Sequence, residues 1–197
     1  MGLDTVRGIE NSGIGYIRHR WLHQVPRDVN ALNDRRVGWL QGEPKTRDSP
    51  RGVMAIDKTL VDYAGTLIDN VGWFWNHAKD GSVIAHDSLI SNSVCPSGRA
   101  LPLHGAGCRN KDACQKGEFT DHTELCIELI NDAIARGISG DFTFDSSFTR
   151  AKVLHHIQST KWAYVGDLKR NRKLVYDGRE QSLQGVGKSV EPVCPVT

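Results

Sequence analysis

The chain has 197 residues, of which 39% are hydrophobic and 24% are charged, a composition typical of a soluble globular protein. Its formal net charge is only +2, so the overall charge does not indicate a nucleic-acid partner. The first residues are polar, and no apolar run approaches the ~20 residues that span a bilayer. We therefore expect a cytoplasmic protein with no signal peptide and no membrane partner.

Residues 1–48 are predicted to form a helical amino-terminal segment. One helix is expected over about residues 12–24. A second is expected to begin at Asp28, which suits an N-cap after Pro26, and to end near Gln41. The segment either packs as a small helical arm or contacts DNA phosphates through its arginines. Residues 43–52 contain prolines and basic residues and predict a linker, so that residues 49–197 form the second domain.

Three apolar stretches after the linker predict consecutive β-strands. The first covers residues 53–61 and carries Asp57 and Lys58, although a strand buried on both faces does not keep charges without a use. The second covers residues 71–77 and the third residues 82–94, joined by the hairpin signal Asp80-Gly81. Three strands joined by short turns predict an antiparallel meander.

An irregular loop over residues 95–116 and a well-defined helix over residues 121–136 are predicted next. The loop prediction depends on a high content of glycine, proline and cysteine. The helix prediction depends on the capping box of Asp121 and Glu124 and on an apolar stripe that follows it.

The stretch that follows predicts a short buried strand ending in a carboxylate. Phe142 and Phe144 alternate with polar residues up to Asp145, which is the period of a strand. Ser146 and Ser147 are expected to cap the next helix, and residues 162–168 predict another strand.

This order of elements is that of an α/β protein with a ribonuclease H-like mixed sheet, in which a meander precedes alternating helices and parallel strands. The first strand of such a sheet lies beside the first parallel strand, so we expect Asp57 and Asp145 to meet. The alternative for Asp145 is a strand-ending residue that only caps the following helix.

Converging carboxylates suit Mg²⁺, a hard ion that prefers oxygen ligands, and two such ions can activate the hydrolysis of a phosphodiester. A basic cluster follows the last predicted strand at the same end of the sheet. It either binds the DNA backbone or is a solvated loop. Its members are Lys169, Arg170, Arg172 and Lys173.

The five cysteines do not follow a disulfide pattern, because their number is odd and no CxxC spacing occurs. A zinc site is an alternative for three of them. That site would combine Cys95, Cys108 and Cys114 with His104 or His122.

Three stretches resemble an insertion-sequence DDE transposase of the cut-and-paste type. They read VGWFWNHA, GISGDFTFDSSFTRAKVLHHI and WAYVGDLKRNRK, and the resemblance covers about residues 28–190. It implies a ribonuclease H-like catalytic core, Mg²⁺ as cofactor and DNA strand cleavage and transfer at element ends. The implied partners are double-stranded DNA and further transposase copies.

The resemblance implies a role for each acidic position. Asp145 matches the second catalytic aspartate, and Asp57 lies in the motif of the first. Relatives carry two adjacent acids there, and Lys58 occupies the second position, which points to the opposite face of the strand. The third catalytic residue is a glutamate on a later helix, in a motif that neither Glu180 nor Glu191 provides.

The chain therefore resembles a truncated transposase, with Asp57 and Asp145 as catalytic and metal-binding residues, that we expect to be inactive alone. The alternative is a non-catalytic DNA-binding remnant that modulates an intact transposase, and a third is a structural module without DNA contacts. Loss of the last helix of the core is expected to expose apolar sheet surface and to reduce stability.

Overall fold

The fold is taken from a computed structural model that describes residues 28–62, 71–111, 114–116 and 118–189. The chain divides into two compact units, Met1–Gly42 and Glu43–Thr197. The predicted helix over residues 12–24 lies outside the described residues, and the domain boundary after residue 48 stays a prediction.

In the first unit the predicted second helix is present as α1 (Val29–Gly42). Asp28 precedes it, and the Asp28 Oδ1 atom accepts a hydrogen bond from the Ala31 amide at 2.9 Å. This contact satisfies one of the amide groups that the start of a helix leaves without a partner, as expected for an N-cap aspartate.

The second unit is a mixed α/β structure. Its described elements are β1 (Val53–Asp62), β2 (Gly72–Asn76), β3 (Gly81–Val94), β4 (Ala100–Cys108), α2 (His122–Ala135), β5 (Asp141–Phe144), α3 (Ala151–Gln158), β6 (Tyr164–Gly166), β7 (Lys173–Tyr176), β8 (Arg179–Ser182) and α4 (Leu183–Ser189). None of the helices in the described residues has the length and apolar character needed to cross a membrane.

The main sheet has the order β2-β3-β1-β5-β6, and β4 also pairs with β3. β1 pairs antiparallel with β3 on one edge and parallel with β5 on the other, and β5 pairs parallel with β6. β2 and β4 follow one another along the edge of β3 that faces away from β1. β7 and β8 form a separate hairpin.

Two sequence predictions differ from this sheet. The predicted meander is wrong in its pairing, because β1 pairs with β3 and not with β2; the 14-residue β3 is long enough to take β1 on one edge and two strands on the other. The predicted loop over residues 95–116 is also wrong, since it contains β4. Pro102 lies beside a register shift opposite Ser91 and Asn92, and an edge strand tolerates both features.

The core lies between one face of the sheet and the helices α2 and α3. Alternation along β1 and β5 places Met54, Ile56, Phe142 and Phe144 on this face, and all four are buried. The predicted stripe of α2 packs against β3 and β4, and α3 packs against α2. The buried residues of the α2 stripe are Leu125, Cys126, Leu129, Ile130 and Ala133.

The other face of the sheet carries exposed apolar side chains. Their exposed fractions range from 38% to 73%. They are Val53, Val61, Trp73, Trp75 and Val165.

A glycine determines how closely β1 and β5 begin beside each other. Gly140 precedes β5 with φ of +125°, and a Cβ atom there would lie 2.7 Å from the Gly52 carbonyl oxygen. Gly140→Ala should therefore lower the free energy of unfolding by about 3 kcal/mol, through backbone strain and this clash. Urea denaturation measures the change.

Gly137→Ala is the matched control, since Gly137 also has a positive φ, but a Cβ atom added there would meet nothing within 4 Å. It should cost about 1 kcal/mol. Equal effects of the two substitutions would show that the approach to Gly52 is not tight.

The predicted capping box of α2 is present. The Asp121 Oδ1 atom accepts hydrogen bonds from the amides of Thr123 and Glu124 at 2.7 and 2.9 Å, and the Glu124 side chain accepts one from the Asp121 amide. The bond from the Glu124 amide is the main cause that lowers the pKa of Asp121 below its usual 3.8. Asp121→Ala should cost about 1 kcal/mol at neutral pH.

Because the folded state lowers this pKa, the contribution of the cap is present above pH 3.8 and is lost as the pH falls through the folded value. The difference between Asp121→Ala and the parent chain should therefore shrink in acid. Urea denaturation at pH 7 and pH 3 checks this. Glu128→Ala on the exposed side of the same helix should change little at either pH.

Candidate functional site

Asp57 and Asp145 are neighbours in the structure. β1 and β5 run parallel, with Ile56 opposite Phe144. Asp57 follows Ile56 within β1, and Asp145 directly follows β5. The alternation of side chains places both aspartates on the face of the sheet away from α2. β1 continues beyond this point, whereas β5 ends. Both aspartates line a cavity of about 430 Å³ at the carboxyl end of β5. The sheet thus brings together the two residues for which the sequence predicts a meeting.

The carboxylate of Asp145 also closes a turn. Its Oδ1 atom accepts a hydrogen bond from the Ser147 amide at 2.9 Å, and its Oδ2 atom accepts one from the Ser147 hydroxyl at 2.8 Å. α3 begins only at Ala151, and its N-cap residue Arg150 makes no side-chain cap. The predicted capping of this helix by Ser146 and Ser147 is therefore wrong, and Asp145 closes the preceding turn instead.

A third aspartate, which was not predicted from the sequence, lies in the same row. β5 and β6 run parallel with Phe144 opposite Gly166, so Asp167 follows β6 as Asp145 follows β5. A second cavity of about 410 Å³ is lined by all three carboxylates. The buried Thr149 hydroxyl contacts the Asp167 carbonyl oxygen at 2.6 Å and ties this strand end to the turn after β5. An aspartate directly after β5 and another directly after β6 are the signal that could have identified it.

Lys58 lies on the opposite face of β1 from Asp57, as the strand period requires. Its Nζ atom pairs at 3.0 Å with Oδ2 of Asp87, a β3 residue whose side chain is fully buried. The same Oδ2 atom lies 2.9 Å from Nε2 of His122. Lys58 and His122 also line the 430 Å³ cavity. The buried Asp87 carboxylate therefore positions the ammonium group and the imidazole ring of two residues in the cavity wall. Asp87 was not predicted to take part, because a single aspartate in a strand gives no sign of its neighbours.

Only Lys169 of the four predicted basic residues lines this cavity, together with Arg150. The Arg150 guanidinium donates to the Thr123 hydroxyl at 3.1 Å, which orients it at the cavity wall. Arg170 and Arg172 are exposed in the segment before β7, and Lys173 is 3.7 Å from Glu180 across the β7–β8 hairpin.

The predicted zinc ligands are only partly brought together. Cys108 and His122 meet, with Asp87 as a third neighbour, and their ligand atoms all lie within 4.8 Å of one another. Burial, reinforced by the Asp87 charge, raises the pKa of the Cys108 thiol to about 12.

The other predicted zinc ligands contact different groups. The Cys95 thiol lies 3.7 Å from the Arg47 carbonyl oxygen, and the Cys114 thiol lies 3.3 Å from that of Asn110. His104 pairs with Asp132 at 2.9 Å. The set built on three cysteines is therefore not formed by these side chains.

No protein-family model matches this sequence, and no curated protein matches it significantly.

The pair of Lys58 and Asp87 should contribute measurably to stability. Lys58→Met keeps the apolar stem but leaves the buried carboxylate with His122 as its remaining side-chain partner among the described residues. We therefore expect a loss of about 2 kcal/mol in the free energy of unfolding. Lys152→Met is the control, since Lys152 pairs with Glu124 at the surface and should cost less than about 1 kcal/mol. Urea denaturation of both variants at pH 7 provides the comparison.

Proposed function

We propose that this chain is a fragment of a DDE transposase with a ribonuclease H-like core, inactive by itself. The parent activity would be Mg²⁺-dependent cleavage and strand transfer of DNA at the ends of an insertion sequence. One observation carries the proposal: Asp57 and Asp145 follow paired positions of two parallel strands and line one cavity with Lys169.

The sheet supports the ribonuclease H-like assignment. Antiparallel strands lie on one side of β1 and the parallel strands β5 and β6 on the other. β1 is therefore central, and the carboxyl ends of the parallel strands meet at one edge, where α/β folds place their ligands.

The residues at this edge fit Mg²⁺ only in part. Asp57, Asp145 and Asp167 offer oxygen ligands of the kind that this ion prefers. However, Arg150 and Lys169 line the adjoining cavity, and their positive charges oppose a dication there. Glu180 faces Lys173 on the β7–β8 hairpin, and Glu191 lies outside the described residues. The site suits one weakly bound ion better than the two-ion site that the family requires.

The same charges favour contacts with a DNA backbone. Lys169 and Arg150 would neutralise phosphate oxygens at the cavity, and the exposed Arg170 and Arg172 could extend that contact along the strand. This arrangement also supports the alternative function, a non-catalytic remnant that occupies the DNA of an intact transposase. The exposed apolar face of the sheet would suit association with such a copy.

A nicking assay on supercoiled plasmid DNA with Mg²⁺ tests the proposal. The unsubstituted chain, Asp145→Ala and Glu128→Ala should all give the nicking rate of buffer alone, because the set of catalytic carboxylates is incomplete. Nicking that requires Mg²⁺, disappears in Asp145→Ala and persists in Glu128→Ala would instead show a complete active site and would exclude the remnant.

DNA binding is the second readout of the same experiment. The logarithm of the affinity for duplex DNA should fall linearly with the logarithm of the salt concentration. Lys169→Gln should reduce this slope by about 1, whereas Lys116→Gln, in an exposed loop outside the cavity lining, should leave it unchanged. Absence of salt-dependent binding would contradict both the transposase fragment and the remnant.

A further inference from the structure

A separate cluster on the inner face of the sheet combines three different ligand types. Asp87 of β3 and Cys108 of β4 are direct partners across the antiparallel ladder, so their side chains point the same way. His122 is the first residue of α2 and reaches the pair from the helix that covers this face. Carboxylate oxygen, thiol sulfur and imidazole nitrogen lie within 4.8 Å of one another.

One buried oxygen atom of this cluster lacks a hydrogen-bond partner among the described residues. Asp87 is 1% exposed, and its Oδ2 atom contacts both Lys58 and His122. Its Oδ1 atom is buried and has no hydrogen-bond partner among the described residues. A buried carboxylate oxygen without a donor is costly, and most such atoms in native proteins are satisfied by a proton donor, water or an ion.

We propose that Asp87, Cys108 and His122 bind a zinc ion, with a fourth position open to solvent. This site is independent of the transposase assignment and uses neither Asp57 nor Asp145.

The ligand chemistry selects the metal. Zn²⁺ is borderline-soft and is commonly bound by cysteine sulfur, histidine nitrogen and carboxylate oxygen in tetrahedral geometry. Mg²⁺ and Ca²⁺ prefer oxygen ligands and do not suit a thiolate. Cys108 would bind as the thiolate and release its proton to solvent, as metal binding to cysteine requires.

The exposure of His122 indicates that the fourth coordination position of the ion is open. Asp87 and Cys108 are buried, whereas the His122 side chain is 39% exposed and lines the 430 Å³ cavity. Three protein ligands beside an open cavity correspond to the open type of zinc site, in which water takes the fourth position.

Lys58 competes with the zinc ion for the Asp87 carboxylate. Its ammonium group pairs with the same Asp87 carboxylate that would bind the zinc ion. The positive charges of the lysine and the ion repel each other at this carboxylate. The Lys58 side chain is 36% exposed, so it can turn into the cavity when the metal binds. Removing its charge should therefore strengthen zinc binding.

Metal titration of the full chain, first freed of metal by a chelator, tests the site. One equivalent of Co²⁺, used as a spectroscopic substitute for Zn²⁺, should give visible bands of a tetrahedral site and a thiolate charge-transfer band. One equivalent of Zn²⁺ should abolish both, and excess Mg²⁺ should not. Zn²⁺ should also raise the melting temperature, because it binds the folded chain.

Variants then assign the ligands. Cys108→Ser should remove the charge-transfer band and weaken Zn²⁺ binding at least about a hundredfold, whereas Cys114→Ser should change neither. Lys58→Met should tighten binding about tenfold. His122→Gln, at a partly exposed position, provides a ligand variant if Cys108→Ser does not fold, and it should weaken binding to a similar degree.

Two results would overturn the site. One is the absence of a stoichiometric Co²⁺ spectrum in the folded parent chain. The other is Zn²⁺ binding that survives both Cys108→Ser and His122→Gln, since the ion would then be held elsewhere.

Discussion

The position of β1 between β3 and β5 is the constraint on which the rest of this structure depends. Its antiparallel pairing with β3 and its parallel pairing with β5 place it inside the sheet. Gly140 permits the two parallel strands to start in close contact, since a side chain there would collide with the Gly52 carbonyl. The register that follows places Asp57 of β1 beside the carboxyl end of β5, which Asp145 follows.

β1 also separates two kinds of chemistry by the alternation of its side chains. Asp57 points to the face that carries the aspartates following β5 and β6, beside a cavity that Arg150 and Lys169 also line. Lys58 points to the inner face, where it neutralises the buried Asp87 beside a thiol and an imidazole. Lys58 is thus paired by the fold and does not stand alone in the cavity.

Several parts of the fold follow from short-range patterns and were predictable. The capping box of α2 and its apolar stripe identify that helix, because N-capping and the helical period are local properties. The alternation around Phe142 and Phe144 likewise identifies β5. β4 was missed, because glycine and proline at an edge strand resemble those of a loop.

The sequence by itself determined which segments are helices and strands in most of the second unit, and it singled out Asp57 and Asp145 as acids at strand positions. Only the tertiary structure decided which side chains come together. Asp167 enters the row through the β5–β6 register, and Asp87 meets Cys108 and His122 through strand pairing and helix packing. These meetings depend on contacts between residues far apart in the chain, whereas periodicity and capping reflect only neighbours within a few residues.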